Sequence, residues 1–228
     1  MRQAFRFMLA FVPFWLAVAP AAHAQAAADP TIYVVRYIEV TPGSEPQGAA
    51  LVKKLVDASR KEAGATRFEG AQRTAPANQF ITFEVWKDQA ALDAHNGAAH
   101  KQFLDAVQSA LIAPVDDRPC VAIDVAPVQK TAAGAIYAIT HVDVAPPNTD
   151  AGIALLKAVA GPSRKEAGNL AFNALQQTAR KNHFEVVEIW GDQKAEDTHE
   201  GNAATKDYRA KVQPLLGAHY DRRWYQQL

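Results

Sequence analysis

The sequence predicts an α+β protein built from two tandem ferredoxin-like β-α-β-β-α-β domains whose sheets pack together into one barrel. Three observations predict it. The hexapeptide Ser-Arg-Lys-Glu-Ala-Gly stands at 59–64 and again at 163–168. Sliding the chain by 104 residues aligns 32–112 with 136–216 at 31 identities in 81 positions without a gap, and both copies alternate β-branched runs with amphipathic stretches in the same order. A period of 104 residues is far longer than that of solenoid repeats, so each copy is read as a domain.

Ahead of the copies, Arg2 and Arg6 precede an apolar run from Phe7 to Ala19, and Ala22-His23-Ala24 offers small residues around a cleavage point. This pattern predicts a signal peptide over 1–24 and a periplasmic or secreted protein. The expected boundaries are 30–127 for domain 1, 128–134 for a linker and 135–228 for domain 2. Removing the leader leaves 22 Lys and Arg against 24 Asp and Glu, a balance that calls for neither nucleic acid nor a membrane surface after cleavage. The one cysteine, Cys120, cannot form an internal disulfide, so stability has to come from burial, for which 49% apolar composition is ample.

Within copy one, "TIYVVRYIEV" reads as a strand that ends at the turn formers "TPGSEP". Leu51, Val52, Leu55 and Val56, matched by Leu155, Leu156, Val159 and Ala160, mark one apolar stripe of a helix. The hexapeptide closes that helix, with Arg60 and Lys61 in its last turn and Gly64 as a left-handed stop. "ATRFEGAQRT" and "QFITFEVW" form a hairpin across "APAN". A short helix capped by Asp88 follows, then a longer one with Phe103, Leu104, Val107 and Leu111 inward, and a last strand over 119–128. The helices cover one sheet face. The other face needs cover too, and its counterpart in the second copy supplies it, giving a closed or nearly closed eight-stranded barrel within one chain. This intramolecular pseudo-dimer leaves further homodimerisation open.

The hexapeptide, followed by "FEVWKDQAALDAHNGAAHKQF" and its copy-two counterpart, resembles the antibiotic biosynthesis monooxygenase family of dimeric α+β barrels. Ser59, Arg60, Glu62, Gly64, Glu84, Trp86 and His95 fit its motifs, and Ser163, Arg164, Glu166, Gly168, Glu188, Trp190 and His199 fit them again. The resemblance implies a monooxygenase acting with dioxygen on a small aromatic, hydroquinone or quinol, without flavin, haem or metal. The copies differ: His100 aligns with Ala204, and Gly161-Pro162 replaces Asp57-Ala58 in the first helix, where an interior proline predicts a kink. Haem-degrading relatives carry an asparagine on the first strand, where this chain has Arg36 and Tyr37, or Thr140 and His141.

Strand alternation puts Phe80, Thr82, Glu84 and Trp86 on one face and Ile81, Phe83 and Val85 on the other. The purely apolar set is expected under the helices, which turns Glu84 and Trp86, with Glu188 and Trp190, toward the barrel interior or its mouth. His95 and His199 are then candidate bases paired with those carboxylates. Trp86, Trp190, Tyr33 and Tyr137, with Tyr37 and His141, are candidates for substrate contact. For each tryptophan core packing is the competing reading, and for each histidine a helix-end structural role. Arg36, Arg67 and Arg73 are read as solvated or as orienting an anionic oxygen. His95 and His100 stand five apart, off the helical i,i+4 spacing, so no metal site is expected. A non-catalytic small-molecule-binding barrel, or a haem-binding or haem-degrading protein, is the alternative function.

Overall fold

The computed structural model describes residues 29–127 and 132–228. The expected leader at 1–24, and residues 128–131 of the expected linker, lie outside the described residues. Copy one runs β1 (Ile32–Glu39), α1 (Glu45–Ser59), β2 (Ala65–Arg73), β3 (Gln79–Trp86), α2 (Gln89–Gly97), α3 (Ala99–Val107) and β4 (Asp116–Asp124). Copy two repeats it as β5 (Ile136–Asp143), α4 (Thr149–Ser163), β6 (Asn169–Gln177), β7 (His183–Trp190), α5 (Gln193–Gly201), α6 (Ala203–Val212) and β8 (Asp221–Gln227).

Local chemistry fixes the element ends. Pro46 lies in the first turn of α1, where a missing N–H costs nothing, and the Asp88 carboxylate caps α2 by accepting from Ala91 N at 2.8 Å. Gly64 and Gly168 adopt φ of +90° and +82°, which only glycine does without strain. The helix ends at Ser59, so Arg60 lies just beyond the last turn, and its Nε donates to Phe68 O on β2 at 2.8 Å. Pro162 falls in the last turn of α4, which stays as long as α1 at 15 residues. The last strand of copy one begins at Asp116, three residues before the sequence expectation.

The eight strands close into a barrel in the order β1-β3-β2-β8-β5-β7-β6-β4. Each copy contributes one four-stranded antiparallel sheet, and the copies join where β2 meets β8 and where β4 meets β6. Closure removes every free sheet edge. Tyr33, Val35, Ile81, Phe83, Val85, Tyr137, Ile139, Val187, Ile189 and Tyr225 fill the barrel. Separate apolar layers sit between sheet and helices, with Val34, Ile38, Phe68, Phe80 and Trp86 in copy one and Val142, Phe172, Phe184 and Val186 in copy two.

The strand faces are therefore inverted relative to the sequence expectation. Ile81, Phe83 and Val85 point into the barrel, and Glu84 and Trp86 lie under the helices. In a closed barrel both faces are buried, so alternation separates the faces without saying which is inside. The barrel interior accepts the apolar set, and under the helices the buried Glu84 carboxylate is satisfied by Arg36 of β1 and by Thr82 and Trp86 of β3.

The gapless register also fails beyond the short helix. His95 and His199 keep the 104 spacing, but the buried positions of α3 and α6 run Phe103 with Tyr208 and Val107 with Val212. Strand pairing continues this offset of 105, with Tyr33 opposite Cys120 and Tyr137 opposite Tyr225. One residue is thus inserted near Asn202, and the counterpart of His100 is Thr205, not Ala204.

Candidate functional site

Glu84 is fully buried beneath α2 and α3. Its Oε1 accepts from Arg36 Nε at 2.7 Å and Thr82 Oγ1 at 2.7 Å, and its Oε2 from Trp86 Nε1 at 2.9 Å. Arg36, expected to be solvated or to orient an anionic oxygen, is 1% exposed. Its remaining nitrogens donate to His100 Nε2 at 2.9 Å, Asn96 Oδ1 at 2.6 Å and Asp117 Oδ1 at 2.8 Å. Burial opposes the Arg36 charge, but Glu84 and Asp117 outweigh it and hold the pKa above the ordinary arginine value.

The glutamate of the repeated hexapeptide has a partner. Glu62 Oε2 lies 2.6 Å from His95 Nδ1, so Nδ1 carries the proton and Nε2 the lone pair. That Nε2 is 3.8 Å from Glu84 Oε2 and has no hydrogen-bond partner. The His95 ring lies 4.6 Å from that of Trp86 and 5.7 Å from that of His100. Because Arg36 can only donate, His100 Nε2 accepts and its Nδ1 bears hydrogen, and this Nδ1 is also without a partner. Burial, then the charges of Arg36 and His95, press the His100 pKa down to about 3. One orphan donor and one orphan acceptor thus occupy neighbouring buried rings.

Copy two solves the same problem differently. The position of Arg36 is Thr140, and the cation comes from β8, where Arg222 replaces Asp117. Arg222 Nη1 reaches Glu188 Oε1 at 2.5 Å, and Nη2 reaches Glu196 Oε1 at 3.0 Å. Burial would raise the pKa of Glu188, yet Arg222 first, then His199 and Trp190, leave it lowered. His199 Nδ1 meets Glu166 Oε2 at 3.1 Å and its Nε2 meets Glu188 Oε2 at 3.2 Å. Both ring nitrogens thus face carboxylate oxygens, and Thr205 Oγ1 lies 3.3 Å from Nδ1.

Tyr33, Tyr137, Tyr37 and His141 belong to the other side of the sheet. Tyr33 and Tyr137 line the barrel, with the Tyr137 hydroxyl donating to Glu69 at 2.5 Å. Tyr37 and His141 converge instead on Glu185 at one barrel mouth, at 2.9 and 2.8 Å. The expected stacking of tryptophan and tyrosine on one substrate ring does not form, because the backbone of the sheet separates them. Asp117 and Arg222 were missed, and Arg36 and His100, though noted in the sequence, were not joined to Glu84; an arginine displaced from the first strand of one copy to the last strand of the other leaves no signal in an ungapped comparison.

Both histidines are sealed, at 1% and 2% exposure. The cavity beside His199, lined also by Glu188, Tyr208 and Arg222, has about 10 Å³, room for one water at most. A cleft of about 630 Å³ opens on copy one between α3 and the start of β4, lined by Leu104, Leu111, Ile112, Pro114, Val115 and Asp117. That is the size of a small-molecule site. Asp117 joins it to the buried cluster through Arg36 and, at 3.8 Å, His100.

A closed barrel of two fused ferredoxin-like sheets, with a carboxylate, an imidazole and an indole repeated beneath its helices, defines the class of protein. The chain belongs to the antibiotic biosynthesis monooxygenase family, whose model matches residues 31–108 and 135–211. It is similar to "Putative monooxygenase YcnE" of Bacillus subtilis (strain 168), 34% identical over 86 residues that make up 37% of this chain and 90% of that protein. A solved structure described as a "Putative monooxygenase" from Fusobacterium nucleatum subsp. nucleatum ATCC 25586 superposes with a TM-score of 0.77 at 18% identity, over 87% of this chain and 92% of that one. One from Lactobacillus acidophilus NCFM gives a TM-score of 0.69 at 14% identity, over 87% and 93%. These two likenesses concern the fold. Among the described residues, no helix is long and apolar enough to cross a membrane.

Proposed function

We propose that the chain is a monooxygenase for a small phenolic or hydroquinone ring, with copy one as the working centre and copy two as its structural counterpart. The orphan pair formed by His100 Nδ1 and His95 Nε2 carries the reading, because buried polar atoms in native proteins are almost always satisfied and exceptions concentrate where chemistry occurs. The ring occupies this cleft, which is lined by both apolar and polar groups, with its hydroxyl toward Asp117. Burial holds the Asp117 carboxyl above its ordinary pKa against the pull of Arg36, which suits it to accept a proton. Arg36 stabilises the phenolate that remains. The proton passes through His100, a bridging water and His95 to Glu62, whose side chain is 24% exposed. His100 hands the proton on and does not hold it, as its depressed pKa requires.

The net reaction is balanced by the substrate and dioxygen alone. A ring C–H becomes C=O, the phenol becomes a quinone, one oxygen atom enters the product, and the other leaves as water with the two hydrogens lost. The substrate supplies the electrons, so no flavin, haem or metal is required for it. Family membership and the similarity to YcnE support the oxygenase reading, and the leader pattern at 1–24 supports export.

Oxygen uptake with a panel of phenols and hydroquinones tests it. His95→Ala is expected to lower the rate on the order of a hundredfold, the scale of general acid–base catalysis, with a much smaller loss for His199→Ala. Equal rates for His95→Ala and wild type refute the proton path. A second reading rests on the sealing of both histidines: a barrel that binds a small molecule without turning it over. It predicts a compound retained in native mass spectrometry of freshly purified protein and no oxygen uptake.

A further inference from the structure

At one mouth of the barrel the two copies differ in a way that the oxygenase reading does not use. On β5 and β7, His141 pairs with Glu185 and Asp143 with His183. The same positions of copy one hold Tyr37, Ile81, Glu39 and Gln79. All four copy-two side chains point to the interior face at the strand ends, and their polar atoms converge. His141 Nε2 lies 3.2 Å from His183 Nδ1, and Asp143 Oδ2 lies 3.5 Å from His183 Nε2. Among the described residues, His141, Asp143 and His183 are the one group of three such side chains whose donor atoms all fall within 4.8 Å of one another.

From this geometry we propose that His141, His183 and Asp143 form a binding site for one divalent first-row transition ion of the zinc, copper and nickel class. Two donors each about 2.0–2.1 Å from a tetrahedral ion stand about 3.3 Å apart, and the two imidazole nitrogens are already at 3.2 Å. The orientation of His141 is fixed as a ligand requires. Glu185 Oε1 engages its Nδ1 at 2.8 Å, which leaves Nε2 as the nitrogen turned to His183 and the site, the usual carboxylate–histidine–metal arrangement. Asn182 Nδ2 donates to Asp143 Oδ1 at 3.2 Å and leaves Oδ2 toward the site. Glu185 is itself locked by Arg118 Nη1 at 2.8 Å, Gln177 Nε2 at 2.9 Å and the Tyr37 hydroxyl at 2.9 Å. Copy one thus braces a site whose ligands all come from copy two.

The donor set fits borderline ions. Two imidazoles and one carboxylate favour zinc, copper or nickel over magnesium or calcium, which take oxygen ligands. Side-chain exposures of 17%, 20% and 12% for His141, Asp143 and His183 give an ion an entry path and leave a fourth position for water. The site shares no residue with the His95 or His199 centre, so it stands or falls apart from the oxygenase reading.

Calorimetric titration of the untagged two-copy chain with Zn²⁺ alone, repeated with Cu²⁺, tests the site. The expected result is one equivalent bound per chain. His183→Gln and His141→Tyr introduce the residues that copy one carries at these positions and are expected to fold. Each is expected to weaken Zn²⁺ binding by at least about a hundredfold, whereas His219→Ala, at an exposed histidine, is expected to bind as wild type does. Cu²⁺ bound by the wild type is expected to show electron paramagnetic resonance splitting from two nitrogens. No binding, weak binding of several equivalents, or one equivalent that persists unchanged in both His183→Gln and His141→Tyr overturns the proposal.

Discussion

Replacing Arg36 by threonine removes the cation that Glu84 faces at 2.7 Å while both side chains are essentially out of solvent. Thr82 and Trp86 still donate to the carboxylate, but its charge is left without a counter-charge in contact. Breaking such a buried pair costs roughly 3–5 kcal/mol, which for a chain of this size lowers Tm by about 10 °C. The copies supply the compensating change. Arg36 lies opposite Asp117 on β1 and β4, and Thr140 lies opposite Arg222 on β5 and β8. Asp117→Arg combined with Arg36→Thr therefore rebuilds copy two's solution inside copy one. Asp117→Arg alone crowds a second cation against Arg36 and is expected to destabilise as well. Urea unfolding of the wild type, both single variants and the double variant closes a double-mutant cycle. At least half of the Arg36→Thr loss is expected to return in the double variant. A double variant no more stable than Arg36→Thr would show that the two arginines are not exchangeable counter-charges, and the reasoning would fail.

The depressed pKa of His100 makes stability pH-dependent. The unfolded chain takes up a proton at this residue near pH 6.5 and the folded chain only near about 3, so stability falls as pH drops through that window, by roughly 1 kcal/mol per pH unit. His100→Thr, the residue copy two carries, is expected to flatten this slope in urea midpoints measured from pH 7 to 4; an unchanged slope refutes the assignment. Gly168→Ala combines a φ of +82° with a new Cβ 2.5 Å from the Ala195 Cβ and is expected to cost about 2 kcal/mol or more, read by thermal unfolding. In the cleft of copy one, Val115→Trp is expected to raise KM roughly tenfold or more with little change in Tm, and an unaltered KM argues against substrate binding there. Glu62→Gln is expected to lower kcat with KM nearly unchanged, since Glu62 ends the proton path from His95 and is not among the residues lining the cleft; a rise in KM alone contradicts that role.

Much of the architecture was legible because it is written in local terms. Turn formers, the apolar stripe of the first helix, the Asp88 cap and the glycine stops act within a few residues of themselves. The duplication made each reading twice testable, and the two-sided burial of the sheets required a barrel. The candidate site was legible in part. The carboxylate, indole and histidine positions were marked by their spacing, and the His95–Glu84 and His199–Glu188 proximity followed from it. The link from Glu62 to His95 spans 33 residues, so no local pattern carries it.

What the sequence by itself determined is the repeat, the order of elements and the identity of the paired Glu, Trp and His positions. The tertiary structure decided which strand face is inside, that an arginine from β1 in one copy and β8 in the other neutralises the buried glutamate, and that His141, Asp143 and His183 meet at a barrel mouth. The physical reason is common to all three. A closed barrel buries both faces of every strand, so polarity no longer marks inside from outside, and a buried charge is satisfied by whichever strand or helix end brings a partner within reach.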